Sequence, residues 1–168
     1  MLTIGIDPGT AITGYGLVRE GEDGVLAAVS YGVIATSPDL SMPARLLELD
    51  QQLQEILLLY RPDCGAVEKL FFARNARTAL AVGQGRGVVL LGLARAGVPV
   101  AEYTPLEIKQ TVVGYGGAGK KQVQHMVKAL LKLDQIPQPD DAADALAIAI
   151  CHLHHQRVHA LIFADQSA

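Results

Sequence analysis

Four acidic residues stand where a carboxylate needs a chemical reason. Asp7 closes the apolar run Leu2-Thr-Ile-Gly-Ile6 and precedes Pro8-Gly9, and Glu68 follows Gly65-Ala-Val67. Both fall at the carboxyl ends of expected strands, the edge where open α/β sheets bind their ligands. Asp141 and Asp144 are three apart at the head of an alanine-rich segment, which on a helix places them on one face. Ala142, Ala143 and Ala145 are small enough to let that face lie close to a sheet. Unneutralised, such a gathering repels itself: at about 5 Å and an effective dielectric of 20, each pair costs roughly 3 kcal/mol. Two divalent cations would cancel four negative charges, and an all-oxygen donor set suits Mg²⁺ or Mn²⁺ better than Zn²⁺. Two such ions about 4 Å apart activate water and stabilise the leaving oxygen in phosphodiester cleavage. Singly, each acid has a plainer reading: a turn residue for Asp7, helix capping and a favourable dipole for Asp140, Asp141 and Asp144. Asp140 stands just before Asp141, and the expectation for it is capping.

The distribution of charge favours the chemical reading of the set. The chain has 168 residues and a formal net charge of -3, which on its face argues against a nucleic-acid partner. By segment the picture changes: residues 1–68 carry a net of -7, residues 69–132 a net of +8, and residues 133–168 a net of -4. A basic middle between acidic ends points to a polyanionic partner. Half the residues are hydrophobic, so wholesale disorder is excluded, and the length suits one domain with a buried core. The expected domain covers 1–157, followed by a short tail over 158–168. No stretch is long and apolar enough for a membrane span, since Arg86 interrupts the longest candidate, and the N-terminus lacks a signal peptide's charged region. Cys64 and Cys151 are isolated and without metal spacing, as expected of reduced, buried thiols in a cytoplasmic protein.

Elements able to position the acids are legible along the chain. Leu2–Asp7, Thr13–Arg19 and Val25–Thr36 read as strands whose short connections imply an antiparallel meander. Ser41 caps a helix reaching about Tyr60, with Leu46, Leu49, Leu53, Ile56 and Leu57 on one stripe. A short strand over Asp63–Glu68 is followed by a long helix over about Asn75–Ala96 and a fifth strand over Val98–Tyr103. Thr104-Pro105 opens another helix. The glycine-rich stretch Gly114–Gly119 leads into a helix from Lys120 to Leu133, and a last helix runs from near Asp140 to about His155. Three strands, then strands alternating with helices, predict an α/β fold with a five-stranded mixed sheet flanked by helices. The long helix holds Gly83, Gly85, Gly87 and Gly92, each costing roughly 1 kcal/mol against alanine. Close approach of another helix, from this chain or a second subunit, is the simplest compensation.

The ordered set Gly5-Ile-Asp-Pro-Gly-Thr10, Gly14-Tyr-Gly16, Ala66-Val-Glu68 and Gly83-Gln-Gly-Arg-Gly87 resembles the RuvC family of Holliday junction resolvases. So do Lys109-Gln-Thr-Val-Val-Gly114, Gln122-Val-Gln-His-Met126 and Asp141-Ala-Ala-Asp-Ala-Leu-Ala-Ile-Ala-Ile150, all collinear up to about residue 152. The resemblance implies a ribonuclease H-like fold and a homodimeric endonuclease that nicks two like-polarity strands of a four-way DNA junction symmetrically, in homologous recombination and DNA repair. It implies Mg²⁺ or Mn²⁺, two per subunit, held by Asp7, Glu68, Asp141 and Asp144. Lys109 and Lys120 match basic positions that contact DNA and support catalysis. Phe71 matches an aromatic that stacks on a base, a contact worth roughly 1–3 kcal/mol. Arg74 and Lys121 complete the expected DNA surface, and the RuvA–RuvB branch-migration complex is the partner the family implies.

Gly114 to Lys120 nearly spells a phosphate-binding loop, but Lys121 stands where Ser or Thr should bind Mg²⁺, and the preceding segment reads as helix. Asp7-Pro-Gly-Thr10 also resembles a phosphate loop of actin-like phosphotransferases, which need a second lobe that 168 residues cannot hold. A related nuclease acting on structured RNA differs only in substrate. His152 and His155 share a helical face, for which a place near a helix C-terminus is an adequate explanation.

Overall fold

A computed structural model describes residues 1–69 and 76–165. The sheet is built from β1 (Leu2–Asp7), β2 (Ile12–Glu20), β3 (Leu26–Ala35), β4 (Cys64–Glu68) and β5 (Val100–Tyr103), in the order β3-β2-β1-β4-β5. The first three strands form the expected antiparallel meander, whereas β4 joins β1 and β5 joins β4 in parallel. Strand β1 is therefore central, and its register with β4 pairs Ile6 with Val67, so Asp7 and Glu68 finish side by side.

Helices cover both faces. α1 (Met42–Tyr60) and α2 (Ala76–Arg95) pack on one, where Leu49, Leu53, Leu57, Val89 and Leu93 meet Ile4, Ile6, Leu17 and Val67. Ser41 sits at the N-cap of α1, but its side chain makes no capping hydrogen bond, so Pro43 in the first turn is the working start signal. α3 (Pro105–Val113), α4 (Lys120–Leu130) and α5 (Asp140–Asp165) cover the opposite face, with Ile108, Val123, Val127, Leu146 and Ile150 in a second core. α5 does not stop near His155 as expected. Nothing in Arg157–Ala164 breaks a helix, and the chain continues as one to Asp165 although Leu161 and Ile162 are exposed.

The seat of α5 on the sheet depends on missing side chains. A Cβ on Gly5 would overlap the Ala145 carbonyl, and one on Gly14 would overlap the Asp141 carbonyl. A Cβ on Gly16 would come within 2.8 Å of Leu146. Facing these bare positions, Ala142, Ala145 and Ala149 are fully buried. Glycine on the sheet and alanine on the helix bring the two backbones together, and Gly14 is the register partner of Asp7. The start of α5 is thereby pressed against the end of the central strand.

The α2 glycines divide into two kinds. Gly92 lies under Leu53 and Gln54 of α1, and Gly85 lies against Gly9 and Thr10 of the loop after β1. A Cβ on Gly83 or Gly87 would meet nothing within 4 Å among the described residues.

Replacing Gly14 with valine should destabilise the protein by about 3 kcal/mol or more, because the side chain forces α5 off the sheet. The same change at Gly87 meets no described residue of its own chain, so it leaves the fold of the subunit intact. Urea denaturation of the two variants beside the unaltered protein measures the difference.

Candidate active site

The acids meet in a cleft of about 250 Å³ lined by Asp7, Glu68 and Asp144, with Lys109 and Lys120 on its walls and Ile108, Val123 and Ile148 as its apolar floor. Each residue arrives on a different element. Asp7 ends β1 and Glu68 ends β4. On each strand the preceding residue, Ile6 or Val67, belongs to the core on the α1–α2 side, so strand alternation turns both carboxylates toward α5. Asp144 comes from the first turns of α5. Asp141, one turn earlier, does not line the cleft; it lies over Gly14 and acts on Asp7 through its charge.

The loop after β1 is pinned. The Thr13 hydroxyl donates to Gly9 O at 2.6 Å, the Thr36 hydroxyl donates to Thr10 O at 2.6 Å, and Arg45 donates to Thr10 O at 3.1 Å. On the other side, Arg86 of α2 reaches Glu68 O at 3.4 Å and pairs with Glu102. Lys109 is carried by α3, whose start is held by a reciprocal cap. Glu107 N donates to Thr104 Oγ1 at 3.1 Å, and Thr104 N donates to Glu107 Oε2 at 2.7 Å. These hydrogen bonds hold the Glu107 carboxyl below its ordinary range.

Electrostatics show what the cleft lacks. Burial, followed by repulsion from Glu68, Asp144 and Asp141, pushes the Asp7 carboxyl up to about 7. Burial and the charge of Asp144 raise Glu68, with Lys109 opposing. Asp144 is raised too, because burial outweighs the pull of Lys120. Lys120 shows the converse: burial works against its charge, but Asp144 and Asp140 prevail and hold the ammonium above its ordinary value. Its Nζ lies 3.1 Å from Asp144 Oδ2 and 3.4 Å from Asp140 Oδ2.

The carboxylate site thus needs added positive charge, and hard oxygen donors suit a divalent cation. Among the described residues, no three His, Cys, Asp or Glu side chains close into a coordination group as they stand.

The other expected residues fall outside this group. Lys121 is exposed on α4 and does not line the cleft. Phe71 and Arg74 lie outside the described residues. Asp140 differs from expectation: one carboxylate oxygen accepts from Gln124 Nε2 at 2.8 Å and the other faces Lys120. Sequence reading passed over Gln124 and Arg86, although each carried a signal. Gln124 is an amide on the apolar face of an amphipathic helix, and Arg86 is a charge inside a glycine-rich helix.

The phosphate-loop alternative fails on geometry. The segment before Gly114 is helix α3, and Gly114 (φ 79°) ends it by donating to Gln110 O at 2.9 Å. A phosphate loop needs a strand there. The histidine explanation also fails, since α5 runs past them. His152 is buried, with Nδ1 at 2.9 Å from the Tyr103 hydroxyl, and burial lowers its pKa. Cys64 and Cys151 are buried free thiols as expected.

A family profile described as crossover junction endodeoxyribonuclease RuvC matches residues 3–152. The chain belongs to the RuvC family of crossover junction endodeoxyribonucleases. It is 56% identical over 168 residues to the crossover junction endodeoxyribonuclease RuvC of Syntrophomonas wolfei, covering 100% of this chain and 96% of that one. The Thermus thermophilus RuvC structure superposes with a TM-score of 0.88 at 37% identity, covering 95% of this chain and 97% of the other. T. thermophilus RuvC in complex with Holliday junction substrate superposes with a TM-score of 0.86 at 35% identity, covering 94% and 96%. With these likenesses the expected ribonuclease H-like fold stands, and the protein is an endonuclease of a metal-dependent family.

The raised Asp7 pKa has a signed consequence. In the cation-free protein Asp7 keeps its proton up to about pH 7 and the unfolded chain releases it near 3.8, so stability falls as pH rises through that interval. Removing the charge with Asp7→Asn should stabilise the cation-free protein at pH 8 by about 2 kcal/mol, part of the repulsion being relieved by solvent. Thermal melting with a chelator tests this. Added Mg²⁺ or Mn²⁺ should raise the melting temperature of the unaltered protein more than that of the variant.

Proposed function

We propose that the protein resolves four-way DNA junctions by paired symmetric nicks during homologous recombination and repair, using Mg²⁺ or Mn²⁺, two ions per subunit. The observation that carries this reading is the acid-lined cleft at the ends of β1 and β4, walled by Lys109 and Lys120. Asp7, Glu68, Asp141 and Asp144 would hold the ions, Asp7 from the end of the central strand. When bound, divalent ions would supply activation of the attacking water and stabilisation of the departing 3′ oxygen. Lys109 and Lys120 place positive charge beside the carboxylates, where a phosphate diester must enter a field otherwise hostile to it. Lys121, exposed beside them, extends that charge along the DNA path, and Phe71 and Arg74 complete the DNA surface in this reading.

Two like nicks need two cleavage sites, which a two-fold homodimer supplies. The outward face of α2 is suited to pair with its own copy. Gly83 and Gly87 are one turn apart, a Cβ on either would meet none of the described residues, and Leu80 and Leu91 beside them are 67% and 53% exposed. Glycines that cost helix stability are repaid where a second helix comes close.

Domain limits of 1–157 with a tail over 158–168 that begins within α5, a cytoplasmic setting and work alongside the RuvA–RuvB branch-migration complex complete the proposal. Among the described residues no helix is long and apolar enough to cross a membrane.

A synthetic four-way junction incubated with the protein and Mg²⁺ or Mn²⁺ should be cut into nicked duplexes. Asp7→Asn should lower the cleavage rate by about a hundredfold or more yet leave junction binding intact, as read by gel electrophoresis and mobility shift. Preferential cleavage of structured RNA would replace the DNA reading with the RNA one.

Gly87→Glu should turn a sedimenting dimer into monomer and replace paired nicks by single ones. A variant that remains dimeric removes the α2 face from the interface.

A further inference from the structure

Gln124 is the odd residue of α4. It lies between Val123 and Val127 on the buried face and is 7% exposed. A buried amide is retained where it has a specific partner, and here its Nε2 donates to Asp140 Oδ1 at 2.8 Å. That bond fixes the orientation of a carboxylate whose other oxygen lies 3.4 Å from Lys120 Nζ. The chain of contacts runs from Gln124 through Asp140 to Lys120, which begins α4 at the mouth of the acidic cleft. Asp140 itself does not line that cleft. Capping alone would need neither the buried amide nor the lysine.

The two carboxylates facing Lys120 have different obligations. Asp144 lines the cleft and, in the reading above, spends its oxygens on a cation. Asp140 is not in that set and remains available to the ammonium. Lysine is a compact charge on a flexible four-carbon stem, and a single exposed ion pair restrains it little. A second anion, itself held by a buried donor, supplies the missing restraint.

We infer that Asp140, braced by Gln124, is a positioning residue that holds the Lys120 ammonium at the rim of the cleft, ready for the phosphate of the strand being cut. The inference rests on the nuclease reading of this cleft. Asp140 touches neither substrate nor cation and acts only through Lys120.

Asp140→Asn separates this role from capping, since asparagine caps a helix as well as aspartate does and still accepts from Gln124, but carries no charge. Measured by single-turnover cleavage of a synthetic junction, the variant should be slower by about tenfold or more, with unchanged junction affinity and melting temperature. In a Lys120→Ala background the same substitution should change nothing further. Amine labelling of the cation-free protein, read by mass spectrometry, should show Lys120 severalfold more reactive in Asp140→Asn, with Lys121 unaffected. Wild-type cleavage by Asp140→Asn, or the same slowing with and without Lys120, overturns the inference. If the unaltered protein cuts no junction, the functional reading fails. The labelling still decides the positioning role, and equal Lys120 reactivity in both proteins refutes it.

Discussion

Carboxylates held together in a half-buried cleft repel one another, and the rest of the structure is arranged to hold them there. Asp7 and Glu68 are neighbours because β1 and β4 are parallel and in register. Asp144 joins them because α5 lies against bare backbone at Gly5, Gly14 and Gly16. Burial first, and the charges of neighbouring carboxylates after it, raise the pKa values of all three acids. The hydrophobic cores on both faces of the sheet supply the force that opposes the repulsion, since burial of apolar surface is the main favourable term in folding.

The same constraint explains the charge pattern of the chain. A net of -3 conceals a basic segment over residues 69–132, and the structure sets two of its lysines, Lys109 and Lys120, on the walls of the acidic cleft. They reach it on two separate helices, α3 and α4, each with an independent start signal. Positive charge is therefore delivered to the rim by secondary structure, and Lys120 already answers part of the demand by pairing with Asp144.

How far this was readable from sequence depends on whether the cause was local. The strands, the helix stripe of Leu49, Leu53 and Leu57, and the Thr104-Pro105 start rest on periodicity and caps, and they appear in the structure with small shifts at their ends. The grouping of Asp7, Glu68 and Asp144 was legible because strand ends and alanine-rich helices limit where acids can go. The full length of α5 was not, because an apolar stretch such as Ala160-Leu-Ile-Phe-Ala164 suits a helix and a strand equally. The partner of Asp140 was not legible either. Its contact to Gln124 crosses from α4 to α5, and no spacing rule connects residues on separate helices.

Asp140 shows how two acids of one helical turn come to differ. Asp144 faces the sheet, loses water and is pushed toward the neutral form. Asp140 faces α4, where a buried amide fixes it and a lysine pairs with it. Both touch the same ammonium, so the first turn of α5 joins the acidic centre to its basic rim. An acid next to a candidate ligand set therefore need not be a ligand or a cap. Here its neighbours across the interface, rather than its place in the chain, assign it to the lysine.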